Sequence, residues 1–205
     1  MRPHMRLFFD TETTAFWLFG KPAVHPEQPM LAQIAWVLDD DAGRTVSACS
    51  AILMQDKWAS LADPSKYRPR VRMTDEVVKC HGITDKMVDD YGQPPDLVLN
   101  HFQRDLARAS EVVGHNVSFD IGVINNTLST QHLPPVVWPS SFCTKEKSTK
   151  IVGILGARGG FKWPNLSEAY HYFTQKKLSG AHDALIDVYG CRTVYRGIMG
   201  RAATD

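Results

Sequence analysis

The sequence predicts an α/β (α+β) domain built on a mixed β-sheet, and three observations support this class. Three apolar segments of strand length follow one another in the N-terminal part of the chain. Helical and strand-like segments then alternate, and the C-terminal part has helical periodicity. Strands first and helices later is the order of domains whose helices cover a central sheet.

The three N-terminal strands are predicted at MRLFFDTET, MLAQIAWVLDD and TVSACSAILM. The first is an apolar run that ends in acids, and the second alternates so that at least one of its faces is buried. FWLFGKPAVHPEQP contains a glycine and three prolines and is predicted to be a loop, whereas DDAG is a turn. Short connections between consecutive strands favour an antiparallel meander.

The helices are predicted at DLVLNHFQRDLARA, SFDIGVINNTLSTQH, LSEAYHYF and DALIDVYGCRTVYRGIMG. The first follows two prolines and has Leu97, Phe102 and Leu106 near helical spacing. EVVG, which comes next, is a brief buried strand, and LPP ends the second helix. Asn165 is the expected N-cap of the third helix. The last helix carries one apolar stripe made of Ala184, Val188, Cys191, Tyr195 and Ile198. KWASLADPSKYRPRVRM is basic and contains prolines, which predicts an exposed loop.

Composition indicates one globular domain spanning residues 1–205. Hydrophobic residues make up 43% of the chain and charged residues 22%, which is ordinary for a globular protein. No apolar run approaches the roughly 20 residues of a membrane span, and the N-terminus has no signal-peptide pattern. The four cysteines form no CxxC pair, which favours free thiols in a reducing cytoplasm over disulfides or structural zinc. The net charge of +1 leaves any nucleic-acid surface to local clusters of basic residues.

Three acids lie at the ends of predicted elements. Asp10 and Glu12 are two residues apart at a strand end and therefore point to the same side of the sheet. Taken alone, this pair is better explained by a solvated strand terminus in which one acid caps a turn. Asp120, in the first turn of a predicted helix, is likewise explained by the helix dipole, a stabilisation of about 0.3–1 kcal/mol.

A fourth acid, Asp187, follows a histidine in SGAHDALIDVYG. At about 100° per residue, His182 and Asp187 lie roughly 140° apart around a helix and cannot share a helical face. If both serve one site, Asp187 projects from the helix and His182 reaches in from the loop before it. Asp183 is the natural N-cap or first-turn acid. We therefore expect a structural role for Asp183 and chemistry from the other two residues.

Acids from three separate segments, if they converge, form an oxygen-only cluster. Such a cluster suits hard cations such as Mg²⁺ or Mn²⁺ and repels itself without them. Two such ions about 3.5–4 Å apart promote in-line attack of water at a phosphate. A neutral imidazole at His182 is suited to take the proton from that water near neutral pH. Metal-dependent phosphodiester hydrolysis is therefore the leading hypothesis.

The same segments resemble the motifs of the DnaQ-like, DEDDh-type 3′–5′ exonucleases, which include the proofreading subunit of bacterial replicative polymerase, RNase T and oligoribonuclease. FFDTETT is similar to the first motif, VVGHNVSFDIGVI to the second and AHDALIDV to the third. KCHGITDKMV is similar to a segment that proofreading-type members carry between the first two motifs. The tyrosine subclass needs a tyrosine at the position of Asp183, so the histidine subclass is the match.

The resemblance implies an RNase H-like fold, with a central mixed five-stranded sheet flanked by helices, and a 3′–5′ exonuclease activity that releases nucleoside 5′-monophosphates. It implies two divalent cations, Mg²⁺ or Mn²⁺, a general base at His182, and catalytic metal ligands at Asp10, Glu12, Asp120 and Asp187. It implies substrate contacts at Thr11, Thr13, Phe16, His115, Asn116 and Phe119. The glycine-leucine that usually follows the first motif is replaced here by AFW, so a core position for Phe16, Trp17 or Phe119 stays an alternative to base stacking.

The expected partner is nucleic acid with a free 3′ end, single-stranded or frayed, with DNA favoured over RNA. A polymerase or a larger nucleic-acid-processing complex is a further expected partner, and no membrane is. Two alternatives stay open: an exoribonuclease of the same fold, and a catalytically silent nucleic-acid-binding or polymerase-associated module. Basic residues that either track the phosphate backbone or form solvated faces are Lys66, Arg68, Arg70, Arg72, Lys145, Lys147, Lys150, Arg158, Lys162, Lys176 and Lys177.

Overall fold

A mixed five-stranded sheet organises the fold, as the computed structural model shows for residues 4–54, 71–157 and 159–200. The strands are β1 (Met5–Thr13), β2 (Leu31–Asp39), β3 (Thr45–Ile52), β4 (Ala109–Gly114) and β5 (Ser140–Cys143). The helices are α1 (Asp75–His81), α2 (Asp85–Tyr91), α3 (Pro95–Leu106), α4 (Val117–Thr130), α5 (Thr144–Val152), α6 (Leu166–Thr174) and α7 (Ala184–Ile198). The sheet order is β3-β2-β1-β4-β5, and the expected RNase H-like arrangement is confirmed.

Strand β1 lies at the centre of the sheet and joins its antiparallel and parallel halves. It pairs antiparallel with β2 and parallel with β4, and β4 pairs parallel with β5. The predicted meander is confirmed, because β2 and β3 are antiparallel neighbours joined by a turn at Asp40. The Asp40 side chain accepts hydrogen bonds from the backbone N–H groups of Ala42 and Arg44, which holds the turn closed. Because β1, β4 and β5 run parallel to one another, their carboxyl ends meet at one edge of the sheet.

Both faces of the sheet are covered by helices. Leu7 and Phe9 of β1 point into a core shared with α3 and α4, whereas Phe8 points to the opposite face and packs under α7. Strand β2 is consequently buried along its whole length, beyond the single face that its sequence required. The apolar stripe of α7 is confirmed, since Ala184, Val188, Cys191 and Tyr195 are buried and Ile198 is half-buried.

Several elements were absent from the sequence analysis. Helices α1 and α2 have seven residues each, too few to show a helical period, and β5 with α5 forms a strand–helix pair that the basic segment after Cys143 concealed. Leu97 is 62% exposed, because the buried stripe of α3 runs through Val98, Leu99, Phe102 and Leu106. The loop predicted at KWASLADPSKYRPRVRM lies outside the described residues up to position 70, and residues 71–73 have no regular structure.

The four cysteines are unpaired thiols. None of the helices described here is both long enough and apolar enough to cross a bilayer.

Two helical glycines provide a test of how tightly α7 packs against α6. A Cβ added at Gly197 lies 2.4 Å from Cδ1 of Phe173, whereas one at Gly122 in α4 makes ordinary contact with Trp17 at 3.5 Å. Both Gly→Ala changes gain helix propensity of up to about 1 kcal/mol. We expect Gly197→Ala to lower the free energy of unfolding by about 1–3 kcal/mol through overpacking and Gly122→Ala to raise it or leave it unchanged. Urea denaturation of both variants measures the difference, and equal stability would contradict the packing of α6 on α7.

Candidate active site

Asp10 and Glu12 occupy the carboxyl end of β1 on the face covered by α7. Phe8, Asp10 and Glu12 are every second residue of the strand, which places all three side chains on one side of the sheet. Glu12 lies opposite Gln33 of β2, and the Gln33 side-chain oxygen accepts a hydrogen bond from the backbone N–H of Ala184 at 3.4 Å. The strand end and the first residue of α7 are therefore held side by side.

Asp120 reaches the same place from the first turn of α4. Its side chain is 2% exposed, and its Oδ1 atom accepts hydrogen bonds from the backbone N–H of Thr11 at 3.1 Å and from Thr11 Oγ1 at 2.7 Å. Thr11 was expected to contact substrate, but its backbone N–H and its hydroxyl both donate to Asp120 and hold that side chain in position. The chain enters α4 through Asn116, whose left-handed backbone (φ 93°) suits asparagine better than most residues.

His182 and Asp187 meet in the way that their spacing predicts. Asp183 is the N-cap of α7, and its side chain accepts hydrogen bonds from the backbone N–H groups of Leu185 and Ile186. Just before the cap, His182 has φ 74°, and its backbone N–H donates to Asp187 Oδ2 at 3.1 Å. The loop therefore carries the imidazole back over the helix that bears Asp187, and the structural role expected for Asp183 agrees with this geometry.

These residues form one cluster. Ligand atoms of Glu12, His182 and Asp187 all lie within 4.8 Å of one another. Burial raises the pKa of Asp10 well above its ordinary value, and the neighbouring carboxylates Asp120, Glu12 and Asp187 raise it further. Three segments distant in sequence thus bring four acids into mutual electrostatic contact.

The remaining carboxyl groups respond to the same environment. Burial, followed by repulsion from Asp187 and Asp120, raises the pKa of Glu12 to about 8. Burial also raises the pKa of Asp120 to about 7, against the lowering effect of its hydrogen bonds from Thr11. The pKa of Asp187 is raised by burial, and the hydrogen bond from His182 opposes that shift. An uncompensated cluster of this kind costs folding free energy at neutral pH.

The donor set fits a hard divalent cation. Asp187 Oδ1 is buried and has no hydrogen-bond partner among the described residues, although Oδ2 of the same carboxylate is bonded to His182. A buried carboxylate oxygen without a partner is costly unless a cation or proton meets it. Oxygen ligands suit Mg²⁺ and Mn²⁺, and the residues that could hold them are Asp10, Glu12, Asp120 and Asp187.

Two residues at the rim were not assigned from sequence. Cys80 Sγ, at the end of α1, lies 3.7 Å from Nδ1 of His182. The neighbouring His81 donates from Nε2 to the carbonyl of Thr13 at 3.1 Å and accepts at Nδ1 from the backbone N–H of Ile83. The adjacent cysteine and histidine in KCHGITDKMV were the available signal, but their proximity to His182 depends on a contact 102 residues apart.

The aromatic residues expected near the substrate separate into two groups. Phe16 is 61% exposed beside the strand end. Trp17 instead packs on the main core and meets Phe119 edge-on, with ring centroids 5.5 Å apart. Thr13 is buried, and its hydroxyl donates to the carbonyl of Ala15. Of the three aromatic residues expected near the substrate, Phe16 is therefore the one whose ring is exposed and available for stacking.

His115 is fixed by hydrogen bonds at both ring nitrogens. Nε2 lies 3.1 Å from the carbonyl of Pro164, and Nδ1 lies 3.0 Å from Thr144 Oγ1. Burial lowers the pKa of His115 to about 4, so the ring is neutral, with Nε2–H donating and Nδ1 accepting. In this structure His115 joins three segments beside the acids, and neither nitrogen is free for a substrate.

The basic residues divide by their surroundings. Lys66, Arg68, Arg70 and Arg158 lie outside the described residues. Arg72 pairs with Asp85 at 3.6 Å, and Lys162 pairs with Glu168 at 2.6 Å. Lys145 lies over the ring of Trp163. Lys147, Lys150, Lys176 and Lys177 are exposed on the surface, as are Arg72 and Lys162.

Comparison with known proteins gives a family and a fold. The sequence model of the exonuclease family that is named for RNase T matches residues 60–195, a range that contains Asp120, His182 and Asp187 and begins after Asp10 and Glu12. No curated protein sequence matches the chain.

The solved structures similar to this one include several of exonuclease I. The Escherichia coli enzyme in complex with a dT13 oligonucleotide superposes with a TM-score of 0.71 at 17% sequence identity, covering 97% of this chain and 41% of that one. A structure of exonuclease I concerned with processivity gives 0.69 at 19% identity, with the same coverage. An inhibitor complex of exonuclease I gives 0.70 at 16% identity, covering 98% and 42%. The chain thus spans about two fifths of the length of these proteins.

The raised carboxyl pKa values predict how stability depends on pH and on metal. The folded state holds protons that the unfolded chain has lost above about pH 4.5, so in EDTA the free energy of unfolding falls as pH rises towards 8. Millimolar Mg²⁺ or Mn²⁺ should reverse this loss, because a ligand of the native state stabilises it. Melting temperatures between pH 5 and 8, with and without metal, measure both effects; stability in EDTA that is independent of pH, with no metal-induced shift, would contradict the cluster.

Glu12→Gln provides the matched variant. Removing one charge from the cluster should raise the metal-free stability at pH 8 by about 1–2 kcal/mol, a few degrees in melting temperature, and weaken the response to Mg²⁺. Glu146→Gln, on the exposed surface of α5, should change neither quantity.

Proposed function

Since the chain belongs to the DnaQ-like, DEDDh-type 3′–5′ exonuclease family, we propose that it removes nucleotides one at a time from the 3′ end of single-stranded DNA and releases nucleoside 5′-monophosphates. The observation that carries this proposal is the cluster of Asp10, Glu12, Asp120 and Asp187 beside His182. Its four carboxylates come from β1, α4 and α7, and repulsion among them is relieved by divalent cations.

The proposed cofactors are two divalent cations, Mg²⁺ or Mn²⁺, held by the four carboxylates. When bound, they supply charge neutralisation at the phosphate and acidify the attacking water. The protein's own contribution is to fix the ligands before substrate arrives. Thr11 orients Asp120 through two hydrogen bonds, and the backbone N–H of His182 orients Asp187 through Oδ2, which leaves Asp187 Oδ1 without a hydrogen-bond partner among the described residues.

His182 is the proposed general base. Nδ1 of its exposed ring contacts Cys80 Sγ, and Nε2 makes no hydrogen bond to a residue in the described ranges. Nε2 takes a proton from water as the new oxygen–phosphorus bond forms. The bond between phosphorus and the 3′ oxygen of the preceding nucleotide breaks, which leaves a shortened strand with a 3′ hydroxyl and a nucleoside 5′-monophosphate.

The choice of DNA over RNA is supported by the similarity to exonuclease I, which has been solved with dT13 and dA16 oligonucleotides. A ribonuclease of the same fold differs in its contacts to the 2′-hydroxyl of the terminal nucleotides. A catalytically silent binding module has no need for all five residues, and their presence in one cluster favours the enzyme. Action within a larger complex, with a polymerase or another partner, also remains part of the proposal.

One experiment tests activity and substrate together. Three substrates of equal sequence, labelled at the 5′ end, are incubated with protein and Mn²⁺ or Mg²⁺: single-stranded DNA, duplex DNA with a recessed 3′ end, and RNA. A ladder that shortens from the 3′ end, fastest on single-stranded DNA, is the expected result. Faster digestion of RNA would favour the ribonuclease, and an intact but shifted band on native gels would favour the binding module.

The assignment of His182 predicts a loss of rate without a loss of binding. His182→Ala should lower kcat by about 10²–10⁴-fold, the usual contribution of a general base, while affinity for oligonucleotide is retained. His132→Ala is the matched control, because His132 is also an exposed histidine with positive φ but lies beyond the far end of α4. Single-turnover kinetics and anisotropy with a labelled oligonucleotide separate the two quantities; Asp10→Ala should be inactive in the same assay.

Phe16 is the proposed stacking partner of the 3′-terminal base. Phe16→Ala should raise KM roughly 5–100-fold, because stacking of one base on an aromatic ring contributes about 1–3 kcal/mol. Phe19→Ala is the control, since Phe19 lies three residues further along the same loop and is 89% exposed. Steady-state kinetics on single-stranded DNA give the comparison, and equal effects of the two changes would rule out a specific role for Phe16.

A further inference from the structure

An aromatic surface lies beside the cluster of acids and is used by none of the steps above. The side chain of Trp163, in the segment before α6, is 61% exposed, and Phe161 two residues earlier is 50% exposed. The Nζ atom of Lys145, in the first turn of α5, is 4.8 Å from the centroid of the Trp163 ring. Trp163 and Lys145 thus place an aromatic ring and a cation side by side on the surface.

The half-buried imidazole of His115 links the two segments that carry this surface. His115 bonds through Nε2 to the carbonyl of Pro164, the residue after Trp163, and through Nδ1 to Thr144, the residue before Lys145. The Thr144 hydroxyl oxygen also lies 3.2 Å from the carbonyl oxygen of Gly114 at the end of β4. The backbone segments that carry Trp163 and Lys145 are therefore linked to each other beside the end of β4.

The same imidazole places the surface close to the proposed site of hydrolysis. His115 is in the turn between β4 and α4, five residues before Asp120. Strands β4 and β5 end at the edge of the sheet where Asp10 and Glu12 lie, and α5 starts directly after β5. Trp163 thus flanks the acid cluster on the β5 side of the sheet.

The charge of the neighbourhood suits a polyanion. Helix α5 carries Lys145, Lys147 and Lys150 against one acid, Glu146. Lys162 is neutralised by Glu168 and contributes little to the potential. The exposed face of Trp163 thus lies beside a positively charged helix, the combination of aromatic ring and cation that binds single-stranded nucleic acid without reading its sequence.

We propose that Trp163 and Lys145 form an additional nucleotide subsite, at which a base upstream of the two 3′-terminal nucleotides stacks on the indole while Lys145 neutralises a neighbouring phosphate. This inference rests on the proposed function. It predicts that the preferred substrate is single-stranded DNA that is long enough to reach the subsite. Oligonucleotides too short to reach Trp163 are held by the terminal pocket alone.

The length dependence of KM tests the subsite. KM is measured on a thymidine dinucleotide and on an oligothymidylate of about ten nucleotides, for the wild type and for Trp163→Ala and Trp163→Phe. For the wild type, KM should be lower on the long substrate. Trp163→Ala should remove most of that difference, a rise in KM of about tenfold on the long substrate, and Trp163→Phe should retain much of it because an aromatic face remains.

Tyr91→Ala is the matched control for loss of an exposed aromatic. Tyr91 is 68% exposed at the end of α2, which packs near β3 at the opposite edge of the sheet from β5, and its loss should leave the length dependence intact. Lys86→Ala, on the exposed surface of α2, controls in the same way for loss of a surface charge, to be compared with Lys145→Ala. An unaltered length dependence in Trp163→Ala, or an equal loss in Tyr91→Ala, would overturn the proposal.

A binding measurement keeps this inference separate from the proposed function. In the Asp10→Ala background, anisotropy of a labelled oligothymidylate reports affinity without hydrolysis, and Trp163→Ala should weaken it about tenfold. If the wild type hydrolyses neither substrate, the proposed function fails, and the affinity measurement still decides the subsite. If hydrolysis occurs but Trp163→Ala binds the long strand as tightly as its parent, the subsite alone fails.

Discussion

Repulsion among four carboxylates at the end of β1 is the constraint on which this structure depends. The pKa of Asp10 is raised well above its ordinary value by burial and by three acidic neighbours. The pKa values of the other three carboxyl groups are shifted in the same direction. A domain can hold such a cluster only if the free energy lost there is offset elsewhere. Here the sheet is covered on both faces, with β2 buried throughout, and both cores lie beneath the cluster without including it. The residues that stabilise the fold are thus different from the residues whose repulsion destabilises the site.

Alternation along a single strand explains how three segments meet. Odd-numbered residues of β1 face α4, and Thr11 uses that position to hold Asp120 by two hydrogen bonds. Even-numbered residues face α7, which places Asp10 and Glu12 near Asp187. Strand β1 also joins the antiparallel to the parallel half of the sheet, so the carboxyl ends of β1 and β4 lie at one edge. Shifting β1 by one residue would exchange the two faces and separate the acids from both helices.

Sequence patterns were sufficient where the signal is local. The meander follows from alternation and a short turn, and the offset of His182 from Asp187 implies a loop residue and a helix residue separated by the cap at Asp183. Contacts between distant segments have no such pattern: nothing in the sequence around His115 places its nitrogens on Thr144 and Pro164, or Cys80 beside His182. Helices of seven residues, α1 and α2, likewise carry too little periodicity to be recognised. The residues that sequence analysis did not identify are mostly those that support the acids, whereas the acids themselves were identified.

The two oxygens of Asp187 link the position of His182, the proposed base, to the proposed metal site. Oδ2 accepts the backbone N–H of His182, and Oδ1 has no partner among the described residues. His182 adopts a positive φ that costs a non-glycine residue about 1–2 kcal/mol, and the hydrogen bond to a charged acceptor offsets part of that cost. Because one carboxylate serves both purposes, a backbone change at His182 that breaks this hydrogen bond also removes a contact that holds the Asp187 side chain in place. The proposed base and the proposed metal-binding carboxylate are therefore positioned as one unit, although they are five positions apart and lie on opposite sides of a helix boundary.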